Sequence, residues 1–154
     1  MIRLTRIELL QLYDYVKVAF DGDYELIKYY DSASNVDSID SMVTDVLIKI
    51  KDYPKWFNSC YSYSVSNDEE PIGYLFITKE PNLLVSFSIN KNFRDKDNLK
   101  SYFDCIVKEF NTDFDCLLFS HNDRAINWLK RCGMVEVKEF YQEGITKLNY
   151  KLCP

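Results

Sequence analysis

The residues best suited to chemistry lie where an apolar strand pattern ends, at Ser120 and His121. His121 is the one histidine of the chain, and a neutral imidazole can relay a proton near neutral pH. The hydroxyl of Ser120 could share that proton. Both residues are therefore candidate catalytic groups, with a strand-end serine and a solvent-exposed or capping histidine as the structural alternatives.

The segment that follows has the pattern of a short amphipathic helix over 123–132. Asn122 is a favourable N-cap, and Gly133 is a favourable C-terminal stop. Apolar side chains recur between them at i, i+3, i+4 and i+7, and they are Ala125, Trp128, Leu129 and Cys132. Trp128 could stack on a flat ligand, although an aromatic side chain on such a stripe more often packs in the core.

Polar side chains also follow a predicted strand over 83–89. Ser86, Ser88 and Asn90 share one face, because alternate residues of a strand point to opposite sides. The opposite face is apolar and consists of Val85, Phe87 and Ile89. The polar face fits the lining of a pocket and plain solvent exposure equally well.

Apolar periodicity predicts the elements that hold these residues in place. Thr5 and Glu8 have the form of a capping box, which predicts that a helix starts there and runs to Phe20. Further helices are predicted over 24–30, 40–53 and 99–110, with a polar connector at 31–40. Strands are predicted over 61–65, 72–78, 83–89 and 116–120, and a closing hairpin over 134–140 and 145–152.

Composition limits the classes of partner. The chain has 154 residues and a net charge of -5, which argues against nucleic acid and anionic membrane surfaces as partners. No apolar run approaches the roughly 20 residues needed to span a bilayer, and no signal peptide is evident, so we expect a cytoplasmic protein. The five cysteines include no C-x-x-C pair, which favours neither disulfides nor a zinc site.

The stretch from Leu118 to Met134 resembles a pattern of the GNAT (Gcn5-related N-acetyltransferase) superfamily. In that pattern a strand leads to Asn-x-x-Ala, a helix, and then Gly before a large apolar residue; Asn122, Ala125 and Gly133 stand at the matching offsets. Upstream, the segment 71–75 looks like the third sheet strand of the family. The strand over 83–89 and the segment 92–96 are similar to its next strand and its pyrophosphate loop.

This resemblance implies a fold and an activity. The implied fold is α+β, a mixed and mostly antiparallel central sheet flanked by helices, in one domain over 1–154. The implied activity is acetyl-CoA-dependent transfer of an acyl group to the amine of a small molecule or a protein. By the same resemblance, the cofactor-binding residues are Phe87, Ile89, Arg94, Lys96, Asn122 and Ala125.

The sequence departs from the family pattern at two functional places, which marks it as a degenerate member. Asp97 and Leu99 stand where the phosphate loop carries its small residues, and a carboxylate repels phosphate. Leu129 stands where many members carry a tyrosine that acts as general acid. The alternative function is therefore a non-catalytic GNAT-fold protein that binds a protein partner or forms a homo-oligomer, such as a phage virion or host-interaction component, in the cytoplasm of the host cell if it is viral.

Overall fold

The computed structural model describes residues 1–23 and 59–153, together with the separate positions 48, 51, 52 and 55. The helices predicted over 24–30 and 40–53 and the connector over 31–40 lie outside the described residues, except that positions 48, 51 and 52 are helical. Helix and strand labels below number the described elements in chain order.

The described strands form one seven-stranded sheet in the order β1-β2-β3-β4-β5-β7-β6. The strands are β1 (Ile2–Ile7), β2 (Tyr61–Asn67), β3 (Glu70–Lys79), β4 (Asn82–Ile89), β5 (Phe114–Phe119), β6 (Val135–Glu136) and β7 (Ile145–Tyr150). Neighbours are antiparallel at every described pairing except β4 with β5, which is parallel. The predicted class, a mixed and mostly antiparallel sheet flanked by helices, is confirmed.

The N-terminus departs from the sequence-based prediction. Residues Ile2–Ile7 form β1, in which Thr5 pairs with Ser64 of β2, so the predicted capping box at Thr5 was wrong. A 3-10 turn at Leu9–Gln11 follows instead, where the N–H of Glu8 donates to the Gln11 side chain at 2.9 Å. A paired strand satisfies the backbone of the whole segment, whereas a cap satisfies only a helix start, so the strand prevails.

Three described helices cover the two faces of the sheet. The N-terminal helix α1 (Leu12–Phe20) buries Leu12 and Val16 against one face, where Tyr74 and Phe76 of β3 lie. Helices α2 (Lys96–Phe110) and α3 (Asp123–Arg131) bury their apolar stripes in a larger cluster on the opposite face. Strand β3 contributes side chains to both clusters because its side chains alternate between the two faces of the sheet.

The C-terminal segment closes the sheet beside β5. The predicted hairpin is present, but its first strand is only Val135–Glu136, and it pairs with β7, which lies between β5 and β6. Gly133 ends α3 with φ +108°, a backbone conformation that glycine adopts readily. No helix among the described residues is long and apolar enough to cross a bilayer.

Candidate active site

The candidate site is a cleft between β4 and β5. These parallel strands pair only at Leu83 with Asp115 and at Leu84 with Cys116, near the start of each strand. A cavity of about 420 Å³ opens beyond this point, lined by the rest of both strands and by residues of α2 and α3. We name this cavity the β4–β5 cleft. Backbone groups of β4 that face it have no strand partner within the described pairing, so they are open to a ligand.

A β-bulge in β4 shapes the entrance of the cleft. Phe76 pairs with Ser86 and Ile77 pairs with Leu84, so Val85 is an extra residue opposite β3. Bulges bend a strand and redirect its side chains, and they are common beside active sites. Val85 accordingly packs with the α1 cluster while Phe87 packs with the α2 and α3 cluster, so their predicted placement on one apolar face was wrong.

A buried ion pair lies at one end of the cleft. Arg94 donates from Nη1 to Oδ2 of Asp23 at 2.5 Å, from Nε to the Ile89 carbonyl at 2.8 Å, and from Nη2 to Ser88 Oγ at 3.3 Å. Asp23 is only 5% exposed, and Arg124 approaches the same carboxylate oxygen at 3.6 Å. Burial lowers the pKa of Arg94, an effect that the neighbouring Asp23 carboxylate opposes. Arg94 therefore links Asp23, in the loop after α1, to the backbone of β4 at Ile89.

The start of α2 is capped by the side chain of its N-cap residue, Asp95. Oδ1 of Asp95 accepts the N–H of Asn98 at 2.9 Å, and Oδ2 accepts the Asn98 side-chain amide at 2.8 Å. Asp97 adds a second carboxylate in the first turn. Lys96 is exposed and does not line the cleft. An amide that a phosphate could use at this helix start is thus already paired, beside two negative charges.

Two buried tyrosines place hydroxyl groups at the cleft wall. The hydroxyls of Tyr74 and Ser86 are hydrogen-bonded at 2.7 Å, and the Tyr102 hydroxyl donates to the Tyr74 carbonyl at 2.7 Å. Burial raises the pKa of Tyr74 to about 12 and raises the pKa of Tyr102 well above its ordinary value. Both phenols are therefore neutral near pH 7 and can donate a hydrogen bond.

The two predicted catalytic residues lie outside the cleft lining. Ser120 and His121 are both exposed. The hydroxyl of Ser120 is hydrogen-bonded to that of Thr146 at 2.8 Å, and the His121 ring stacks on Phe119 with centroids 5.5 Å apart. Catalytic roles for this pair stay predictions, and their surroundings also fit the structural alternatives.

The structure brings together most of the predicted cofactor-binding residues. Those in the lining are Phe87, Ile89, Arg94, Asn122 and Ala125, whereas Lys96 is not among them. Asn122 also caps α3, because its side-chain oxygen accepts the Ala125 N–H at 3.3 Å. Their part in binding a cofactor stays a prediction.

Trp128 forms part of the cleft wall and part of the core at once. Its ring is 5.9 Å from that of Tyr102 and 5.7 Å from that of Phe87, and its indole N–H is buried without a hydrogen-bond partner. Leu129, which the sequence resemblance aligns with a general-acid tyrosine, is fully buried in the core. A leucine there cannot deliver a proton to the cleft.

Several residues of the site were not predicted from the sequence. They are Asp23, Tyr74, Tyr102, Arg124 and Arg131. The two tyrosines carried a usable signal, since a buried phenol needs a partner and both lie on predicted elements next to the serine-bearing strand. The others carried none, because their proximity depends on how elements distant in sequence come together.

Several solved structures that superpose on this chain are described as acetyltransferases, whereas no protein-family model and no curated protein sequence matches the chain. A probable GNAT-family acetyltransferase from Chromobacterium violaceum superposes with a TM-score of 0.70 at 9% identity, covering 97% of this chain and 82% of that one. The GNAT domain of S. lividans PAT gives 0.65 at 14% identity, covering 98% and 90%. Spermidine N-acetyltransferase from Vibrio cholerae, in complex with CoA and spermine, gives 0.59 at 16% identity, covering 97% and 95%.

The fold therefore has a clear class. The seven-stranded sheet, the divergence of β4 and β5 and these superpositions define it as the GNAT fold. The resemblance noted in the sequence at Asn122, Ala125 and Gly133 is confirmed at the level of fold. At identities of 9–16%, the likeness extends to the fold and no further.

Proposed function

We propose that this chain binds an acyl-CoA thioester in the β4–β5 cleft and transfers the acyl group to an amine. The observation that carries the proposal is the cleft itself. Two parallel strands separate beyond Leu84 and Cys116, at a bulge, and leave a cavity of about 420 Å³ with one strand edge open. Such a cavity suits a long, narrow ligand that can hydrogen-bond to a strand edge.

The residues present fit one part of acyl-CoA better than the other. The open edge of β4 suits the amides of the pantetheine arm, and Phe87 and Trp128 suit its methylene groups. The thioester supplies an activated acyl group when the ligand is bound. The capped start of α2, with Asp95 and Asp97, does not suit the pyrophosphate.

The hydroxyl pair at the cleft wall offers a route for protons. Tyr74 and Ser86 share a hydrogen bond of 2.7 Å. The pair could accept the proton of the attacking amine while it gives up one of its own protons to the CoA thiolate that leaves as the C–S bond breaks. No carboxylate and no imidazole of the described residues lines the cleft. We therefore expect slow transfer compared with an enzyme that has a dedicated base.

A cleft-filling substitution tests the proposal. Ala125→Phe adds a ring to the cleft side of α3, whereas Asn127→Phe adds the same ring at an exposed position of the same helix. We expect isothermal titration to detect acetyl-CoA binding to the native protein and to Asn127→Phe, with a loss of at least about tenfold in Ala125→Phe. Mass spectrometry of amine mixtures would then detect acylated product. Absence of binding at millimolar acetyl-CoA, or equal binding by both variants, overturns the proposal.

A second function, as a non-catalytic interaction domain, is favoured by the carboxylates at the start of α2. If Asp95 and Asp97 have removed CoA binding, then Asp95→Asn with Asp97→Asn should restore it, because asparagine still caps the helix without the charge. Under this function the native protein copurifies with a partner or forms a stable oligomer in light scattering. A monomer that captures no partner and binds acetyl-CoA contradicts it.

A further inference from the structure

On the face of the sheet that carries α1, the β4–β5 cleft is bordered by apolar side chains of both strands. Leu84 pairs with Cys116, and both residues are buried in the cluster of α2 and α3. Because alternate residues of a strand point to opposite faces, Leu117 and Phe119 of β5 lie on the α1 face. Val85, the bulged residue of β4, also packs with the α1 cluster. Apolar side chains therefore flank the gap at the point where the two strands begin to separate.

These side chains belong to a larger apolar surface. Ile145 of β7 pairs with Phe119 and so shares its face. Phe20, the last residue of α1, lines the same cavity. We name this set the apolar surface of the cleft, and its members, all of which line the cavity, are Phe20, Val85, Leu117, Phe119 and Ile145.

Leu117 shows that this surface is open to a ligand. It is 41% exposed, although its neighbours in β5, Cys116 and Leu118, are buried. A single apolar residue exposed on a convex surface needs no explanation, whereas several that together line a cavity are typical of a ligand-binding groove. The ligand that fits such a groove has an apolar part.

The apolar surface begins beside the reacting end of the proposed thioester. The proposed proton route runs through the hydroxyls of Tyr74 and Ser86, which lie 2.7 Å apart, and Ser86 directly follows Val85. A thioester that reacts at this hydroxyl pair places its acyl group next to Val85. The surface is thus continuous with the path of the donor, and the acyl group is the part of the ligand that is covalently fixed at its edge.

The width of the surface indicates the length of the acyl chain. Neighbouring strands lie about 4.8 Å apart, so the distance from β4 across β5 to β7 is about 10 Å, comparable with an extended chain of about eight carbons. An acetyl group would contact only the part of the surface beside Val85. A chain of eight carbons would also cover Leu117 and Ile145 and would remove the exposed part of Leu117 from water.

We propose that the apolar surface of the cleft binds an aliphatic acyl group of about eight carbons, so that the preferred donor is a medium-chain acyl-CoA and not acetyl-CoA. The inference rests on the proposed function, because it names the acyl group that the same cleft accepts. It makes Leu117 a specificity residue that contacts the acyl chain.

A comparison of two donors tests the inference. Isothermal titration compares octanoyl-CoA with acetyl-CoA on the native protein, on Leu117→Thr and on the control Leu10→Thr. Threonine suits a strand, and Leu10 is 80% exposed outside the cleft lining. We expect the native protein to bind octanoyl-CoA at least about tenfold more tightly, because each buried methylene adds to the affinity. That ratio should fall about fivefold in Leu117→Thr and persist in Leu10→Thr.

Failure of the inference and failure of the proposed function give different results. If acetyl-CoA binds but octanoyl-CoA binds no more tightly, or if the ratio is unchanged in Leu117→Thr, the inference is overturned and the proposed function stands. The third ligand is S-octanoyl-N-acetylcysteamine, a thioester without phosphate. If it alone binds, and Leu117→Thr weakens that binding, the apolar surface is supported and CoA as the donor is contradicted. If none of the three ligands binds, both proposals are overturned.

Thermal melting checks that each variant is folded. Should Leu117→Thr unfold, Ile145→Thr takes its place, because Ile145 lies on the same surface at the far end of the expected chain. The same fall in the ratio of the two affinities is expected, and an unchanged ratio overturns the inference.

Discussion

At the scale of single residues, Asp23 shows how a buried charge can organise a site. It follows α1 closely, is 5% exposed, and is held by Arg94, which lies in the segment after β4. A buried carboxylate without a partner is costly, so its position requires that arginine. The pair therefore joins the loop after α1 to the strand that lines the cleft.

Removing the arginine should expose that cost. Arg94→Met keeps the length of the side chain and leaves Asp23 without its hydrogen-bonded partner, so we expect a loss of about 3 kcal/mol in the free energy of unfolding by urea. Asp23→Asn in the Arg94→Met background should recover part of the loss. The control Lys100→Met breaks an exposed pair with Asp104 and should change stability little. A similar effect of both substitutions contradicts this account.

The raised pKa of Tyr74 predicts a pH dependence of stability. Its pKa is about 12 in the folded protein against 10.0 for an ordinary tyrosine, so the folded state holds the proton more tightly. Its contribution to stability is therefore complete below about pH 10 and is lost as the pH rises toward 12. Urea denaturation from pH 9 to 12 should show a shallower decline in Tyr74→Phe than in the native protein. Parallel declines would argue against a buried, neutral phenol.

At the scale of elements, β3 and β4 approach so closely that one position must be glycine. A methyl group on Gly73 would stand 2.1 Å from the Ser88 carbonyl oxygen and 2.8 Å from Ile89 Cα, both backbone atoms of β4. The segment of β4 that borders the cleft therefore depends on the absence of a side chain on its neighbour.

Gly73→Ala should push β4 away from β3. We expect a loss of about 3 kcal/mol in the free energy of unfolding, together with weaker acetyl-CoA binding, since β4 lines the cleft. Gly144→Ala is the matched control: its added methyl meets nothing within 4 Å, and its φ of +77° should cost only about 1 kcal/mol. Circular dichroism melts compare the two variants, and equal losses would contradict the close approach of β3 and β4.

At the scale of the whole molecule, the fold decides which of the five cysteines can react. Cys116 is fully buried and Cys60 nearly so, and burial raises the pKa of both thiols. Cys105 and Cys132 are partly buried with raised pKa values, whereas Cys153 is exposed. Thiolates are the reactive form, so reactivity should follow this order.

We therefore expect one fast thiol in the native protein. Titration with Ellman's reagent near pH 7.5 should modify Cys153 first, and Cys153→Ser should remove the fast phase. The remaining thiols should react fully only after denaturation. Rapid reaction of Cys116 in the native state would mean that the sheet opens between β4 and β5. Assays that detect released CoA through its thiol need the Cys153→Ser variant as background.

Much of the secondary structure could be predicted from the sequence because its signals are local. The meander over β2 to β4 follows from period-two alternation, and α2 and α3 follow from their apolar stripes and caps. Strand β1 was missed because Thr5 and Glu8 imitate a helix start, and only pairing with β2 stabilises the extended form. The bulge at Val85 left no local trace, since it is defined by the register of β3.

The sequence by itself determined strands β2 to β5 and β7, helices α2 and α3, and a resemblance, carried by Asn122, Ala125 and Gly133, that is confirmed at the level of fold. Only the tertiary structure decided which side chains share the cleft. It placed Arg124 beside Asp23, and it left Ser120 and His121 outside the lining. The physical reason is that periodicity records which face of an element is buried, whereas a site depends on where separate elements meet and on where two strands part.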